Sequence, residues 1–315
     1  MKVTIELAPG TVKRALILGG GLLMMGAAAL ALAVPVTYSE GSVLTAKSLN
    51  DNFANVEQRL AALEVNERAC PAAYTQDTSI TGIVDCKNGD DEIVKVGNGP
   101  SAFWIDRYES SVWDGANQRF GSADDSLEGG GFPKNGQSSN PWVAKSVSGK
   151  APARFITWFQ AQQACRASGK RLPNGEEWLA AGRGTPDPTT PTATDCNISG
   201  ANSRDTGQGT TCQSHWGAQD MIGNLWEWTA DWHAGLGDTT TSSNWPSDYG
   251  SDGAWNITSS ANSEDGATLV GAPVAAVRGG SWDSGGTNSG LFALALSDSP
   301  TFWRRSRGFR CLLPR

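Results

Sequence analysis

The chain has two histidines, His215 and His233, among 315 residues, and no CxxC pair. A histidine-rich metal centre and a zinc-thiolate site are therefore excluded by supply, since each needs several such ligands at close spacing. Cations are also short. Lys and Arg number 25 against 32 Asp and Glu, a net charge of −7. Nucleic acid is not an expected partner, because its binding rests on a surplus of cations to neutralise phosphates. No long internal repeat indicates a solenoid or propeller, and helical periodicity fades beyond residue 185. What is present is a 39% hydrophobic content, enough for a real core, with 13 Trp, 38 Gly and 15 Pro. That mixture predicts a loop-rich chain pinned by indoles rather than a helical bundle.

Residues 15–36 carry no charge and follow Lys13 and Arg14, and Ala31-Leu32-Ala33 is a sequence that signal peptidase accepts. Export is the expectation: a periplasmic, cell-surface or secreted protein. Residues 1–36 act either as a cleaved signal peptide or as a retained membrane anchor, since the run is just long enough to span a bilayer. Cleavage would remove Lys2, Lys13, Arg14 and Glu6, taking the charge from −7 to −9. Six Cys in an exported chain predict a disulfide framework. Cys70 and Cys86 bracket one short segment, Cys196 and Cys212 bracket a polar loop, and Cys165 is left for Cys311.

Leu49, Phe53, Val56, Leu60 and Leu63 alternate four- and three-residue steps, predicting a helical stalk over residues 37–68. Two readings fit this helix: self-association through residues 49–63 into a homo-oligomer, or an amphipathic helix lying on a globular domain. Residues 69–94 are expected to be a disulfide-bracketed linker, and residues 95–315 the main domain. Thr157 with Gln160, and Asn174 with Glu177, are capping boxes that open helices ending near Ser168 and Gly182. The Pro/Thr run at 185–194 and the Ser/Thr stretch at 239–244 are expected to be loops.

Four segments stand in order: Phe103-Trp104-Ile105-Asp106-Arg107-Tyr108-Glu109; Arg171-Leu172-Pro173 with Glu177-Trp178; Asp220-Met221-Ile222-Gly223-Asn224-Leu225-Trp226-Glu227-Trp228; and Arg278-Gly279-Gly280-Ser281-Trp282 with Gly308-Phe309-Arg310. This set resembles the formylglycine-generating enzyme, or sulfatase-modifying factor, family over residues 95–315. The resemblance implies an α+β, C-type-lectin-like fold, with Cys165–Cys311 tying the first helix of the domain to its last strand. Independently, consecutive Gly279 and Gly280 predict positive φ or close backbone approach, and most of the Trp are expected in the core.

The resemblance further implies structural calcium held by Asp220, Gly223, Leu225 and Glu227, side-chain and carbonyl oxygens being the donors that Ca²⁺ requires. The alternative is that Asp220 and Glu227 cap turns or pair with Arg. Oxidising members of the family bind copper through two thiolates, soft ligands for Cu(I). The matching positions here are Ser284 and Ser289. The related iron-dependent sulfoxide synthases use a His-rich domain that this chain lacks, so neither copper nor iron is expected.

Asp283 to Arg307 is also similar to the variable region of retroelement-diversified binding proteins, which is flanked by the same anchors. The resemblance implies a non-catalytic binding face comprising Asp283, Ser284, Thr287, Asn288, Ser289, Ser297, Asp298, Thr301, Phe302, Trp303, Arg304 and Arg305, and aromatic and Arg side chains among small polar ones suit adaptable recognition. The expected partner is a protein or another surface ligand. Three alternatives stay open: a C-terminal strand pair with a basic turn and no ligand, an oxidoreductase of the same fold, and a structural envelope component that works through its stalk.

Overall fold

The computed structural model describes residues 45–67, 70–115, 117–118, 142–188, 190–233 and 273–314, with four short strands between 242 and 270. Residues 15–36, with their signal or anchor expectation, lie outside these residues. Among the described residues no helix is long and apolar enough to cross a membrane.

The chain divides into two compact units, meeting between Glu64 and Val65. The first contains most of helix α1 (Ala46–Glu67), the expected stalk helix. The second is built on three sheets. Strands β1 (Thr75–Asp77), β2 (Asp85–Asn88), β3 (Asp91–Val96) and β4 (Phe103–Asp106) run antiparallel. The last strand of the chain, β16 (Leu312–Leu313), completes this sheet by pairing with β4. Residues 69–94, expected to be a linker, thus carry β1, β2 and most of β3. The Cys70–Cys86 bridge ties the chain ahead of β1 to β2, and Ile93 and Val94 are buried. The strand signal there was masked by the short, turn-rich run between the cysteines.

A small sheet joins β5 (Ser111–Asp114) to β6 (Asn117–Gln118) and β7 (Val143–Lys145). The central sheet uses β8 (Trp226–His233), β9 (Ser242–Asn244), β10 (Gly253–Trp255), β11 (Ser260–Asn262), β12 (Thr268–Val270), β13 (Val274–Gly279), β14 (Gly290–Asp298) and β15 (Arg307–Phe309). Its main path is β12-β11-β14-β13-β8-β15, with β10 pairing β14 and β9. Strand β9 falls in a stretch expected to be loop: its Ser and Asn residues have low strand preference, and pairing with β10 overrides it.

Both predicted capping boxes are present. Thr157 opens α2 (Trp158–Ala167) and Asn174 opens α3 (Gly175–Gly182). Helix α2 buries Ala161, Ala164 and Cys165 in a core shared with Trp226 and Trp228 of β8, Ala275 and Val277 of β13, and Phe309 of β15. Its small side chains allow close approach to the sheet. Helix α3 buries Trp178 and Ala181 in a second cluster with Val94, Ile105, Met221 and Leu312. Cys165–Cys311 and Cys196–Cys212 form as expected. Three disulfides are the chemistry of an oxidising, extracellular or periplasmic compartment.

Gly279 and Gly280 have φ of 89° and 87°. A Cβ on Gly279 would stand 2.8 Å from the Met221 carbonyl oxygen, and one on Gly280 would collide with Ser289. Both terms of the glycine expectation hold here, and they seat the loop carrying Ser284 and Asn288 against the end of the sheet.

Candidate functional site

The sequence motifs converge on one buried node. Arg310, fully buried, donates from Nε and Nη2 to the two oxygens of Glu227 at 2.7 and 2.6 Å. The Trp178 indole N–H donates to the same carboxylate at 2.7 Å. Arg310 also donates to the carbonyls of Asp106, Arg107 and Gln219. One guanidinium therefore joins the first motif, the Asp220–Trp228 motif and the C-terminal one. Beside it, Glu109 accepts from the Leu225 N–H at 2.9 Å and from the Asn224 amide. Asp220 accepts from Arg204 at 2.8 Å.

This geometry bears on the calcium expectation. Both Glu227 oxygens are engaged by Arg310 and Trp178, and the Asp220 carboxylate is ion-paired to Arg204. Among the described residues no group of three or more His, Cys, Asp and Glu is arranged to hold a metal. In this arrangement Arg310 neutralises Glu227 and Arg204 meets one Asp220 oxygen, while the other Asp220 oxygen is buried without a hydrogen-bond partner; calcium at Asp220, Gly223, Leu225 and Glu227 stays an expectation of the resemblance. Thermal melting in EDTA and in millimolar calcium tests that expectation: a calcium-dependent rise in Tm that Asp220→Ala abolishes would support the site, and superimposed curves would count against it.

Burial, together with the neighbouring Asp220 and Glu227 carboxylates, pushes the Glu109 carboxyl well above its ordinary range. A raised acid stabilises the fold below its unfolded pKa, and that contribution is lost as pH rises through the folded value. Stability is therefore expected to fall above the usual carboxylate range, and Glu109→Gln should flatten the decline. Denaturant titrations from pH 4 to 9 check this, and an unchanged slope in the variant would count against it.

The expected binding face surrounds a cavity of about 230 Å³ lined by Trp226, Ser284, Asn288, Ala295, Ser297, Asp298, Arg304 and Arg307. Strand β14 alternates small residues, Ala293, Ala295 and Ser297, with Phe292, Leu294 and Leu296, and of the small ones Ala295 and Ser297 line the cavity. Arg307 lies over the Trp226 ring at 5.6 Å and donates to Asp298 at 2.6 Å. Arg304 is exposed and forms no ion pair among the described residues. The lining therefore holds two cations and one anion.

Of the expected face residues, Ser284, Asn288, Ser297, Asp298 and Arg304 line this cavity. Asp283, Thr287, Thr301 and Arg305 are exposed, and Asp283 stands 3.7 Å from Arg305. Phe302 and Trp303 are half-buried, Trp303 against Phe155 at 5.9 Å between ring centroids. Ser289 does not belong to the face: it is fully buried beneath Gly280 and donates to the Ser281 carbonyl. Trp226, Ala295 and Arg307 line the cavity as well, without standing among the expected face residues. Trp226 is buried in the core, as expected of the indoles, and Arg307 is the last residue of the 283–307 segment. The period-two alternation of β14 was the available signal for Ala295.

A sulfatase-modifying factor enzyme 1-like domain matches residues 99–314, and the chain belongs to that family. All four motifs lie inside the matched span, and the α+β, C-type-lectin-like fold they implied is confirmed by it. No curated protein matches the chain. Among solved structures, the U1 variant of Major Tropism Determinant is similar at 21% identity and a TM-score of 0.45. The M1 variant is similar at 20% and 0.44. Each comparison covers 78% of this chain and 56% of the other, so the chain spans about half the length of those structures. CarF is similar at 14% identity and a TM-score of 0.37, covering 78% of this chain and 94% of that one.

Proposed function

We propose that this is an exported, non-catalytic binding protein whose C-terminal face takes an acidic side chain from a protein ligand. The observation that carries the reading is the cavity bounded by Arg304 and Arg307. At about 230 Å³ it falls below the roughly 300–1,000 Å³ of pockets that enclose whole small molecules. It suits one protruding group of a larger ligand. Asp298 balances Arg307, leaving Arg304 to meet a carboxylate. Next to Arg304 in the chain, Trp303 and Arg305, with Phe302 whose ring lies 5.8 Å from the Arg307 guanidinium, supply the aromatic and guanidinium groups from which protein hot spots are made.

The positions matching the copper thiolates of the family's oxidising members hold Ser284 and Ser289, and all six cysteines are paired in disulfides. Hydroxyls do not stabilise Cu(I), which favours binding over oxidation. The N-terminal run serves export, either cleaved or retained as an anchor.

Tryptophan-indole NMR of the full chain, titrated with N-acetylglutamate and separately with N-acetyllysine, tests the proposal. N-acetylglutamate should shift the Trp226 and Trp303 resonances saturably at millimolar concentration, N-acetyllysine should not, and Arg304→Ala should remove the response. Equal responses to both probes, or none, would overturn the acidic-group reading.

A further inference from the structure

Helix α1 presents an apolar seam to solvent: Leu49, Phe53, Val56 and Leu60 are 37%, 59%, 50% and 57% exposed. A helix that packs on a globular surface carries a wider apolar stripe, which takes in one of the flanking columns. Here the flanking columns are polar. Asn50 and Glu57 flank the seam on one side and Asn52 and Arg59 on the other, and the sequence continues those two heptad columns with Glu64 and Asn66. A strict repeat of about 3.5 residues stays on one line only when helices supercoil around each other. This distinguishes the two readings left open by the sequence.

We propose that α1 pairs, parallel and in register, with α1 of a second copy of the chain. Charge sets the direction. With Phe53 and Leu60 at heptad position a, and Leu49, Val56 and Leu63 at d, Arg59 occupies a g position and Glu64 the following e. Those positions face each other between parallel helices. An antiparallel pair centred on Val56 sets Glu57 against its own copy and leaves Arg59 opposite Asn52. Joining two domains in this way raises the strength of weak contacts through effective concentration, without adding any contact to either face. The proposal is independent of what the C-terminal face binds.

Light scattering of the full chain on a sizing column should give twice the chain mass. Phe53→Asp with Leu60→Asp should reduce it to one chain, while the melting of the disulfide-bonded domain stays unchanged. Leu49→Cys alone should cross-link copies under mild oxidation, because parallel pairing puts position 49 against itself. Arg59→Glu should weaken association, and adding Glu64→Arg should restore it. A monomeric wild type, an oligomer that survives the double Asp variant, or a Leu49→Cys chain that cross-links only when mixed with Leu63→Cys would overturn the proposal.

Discussion

Arg310→Met is expected to cost about 3–5 kcal/mol, enough to abolish folding in a domain of ordinary stability, because it leaves the Glu227 carboxylate buried without its cation. Arg310 is fully enclosed and makes contacts to Glu227, Asp106, Arg107 and Gln219. Met fills much of the guanidinium's volume, so the loss reports charge and hydrogen bonding more than a cavity. Adding Glu227→Gln should recover part of the loss, since the unpaired charge is then gone. Urea unfolding of the three variants measures this. A single-variant loss under about 1 kcal/mol, or no recovery in the double variant, would mean that the node does not hold the motifs together.

Removing the Cys165–Cys311 bridge is the second large effect. The cysteines are 146 residues apart, against 16 for Cys70–Cys86. Loop-closure entropy then assigns about 5 kcal/mol to the long bridge and about 3 kcal/mol to the short one. The Cys165→Ala/Cys311→Ala variant is expected to lose more stability than Cys70→Ala/Cys86→Ala by roughly 2 kcal/mol. Both long-bridge cysteines also lie in the core cluster with Phe309 and Trp228, so lost packing adds to the difference. Equal losses in matched denaturant titrations would show that the unfolded chain does not gain the expected freedom.

The parts of this structure legible from the sequence are those set by local chemistry. Thr157 and Asn174 announced their helices because a capping side chain and its return partner are three residues apart. Gly279 and Gly280 announced a tight approach because few other residues tolerate it. The pairing of six cysteines followed from which segments they bracket. Long-range pairing was less visible. Nothing local says that β16 returns to β4, or that a turn-rich segment between Cys70 and Cys86 supplies an edge of the sheet. The same limit affected the sites. Asp220 and Glu227 have the donor chemistry of a cation site, and only the fold brings Arg204 and Arg310 against them. Ser289 is two residues from the exposed Thr287, yet it is sealed beneath Gly280. Trp226 was hidden by its company, since a Trp between Leu225 and Glu227 looks like its neighbour Trp228, while one edge of it bounds the cavity.

Charge reversal at Arg304 tests the central claim most directly. An array of surface-displayed tetrapeptides differing at one central residue should retain the wild-type chain best where that residue is Asp or Glu. Arg304→Glu should move the preference to Lys and Arg with the melting temperature unchanged, since the side chain is exposed. Selection that is absent in the wild type, or that keeps its acidic preference after the reversal, would contradict the account.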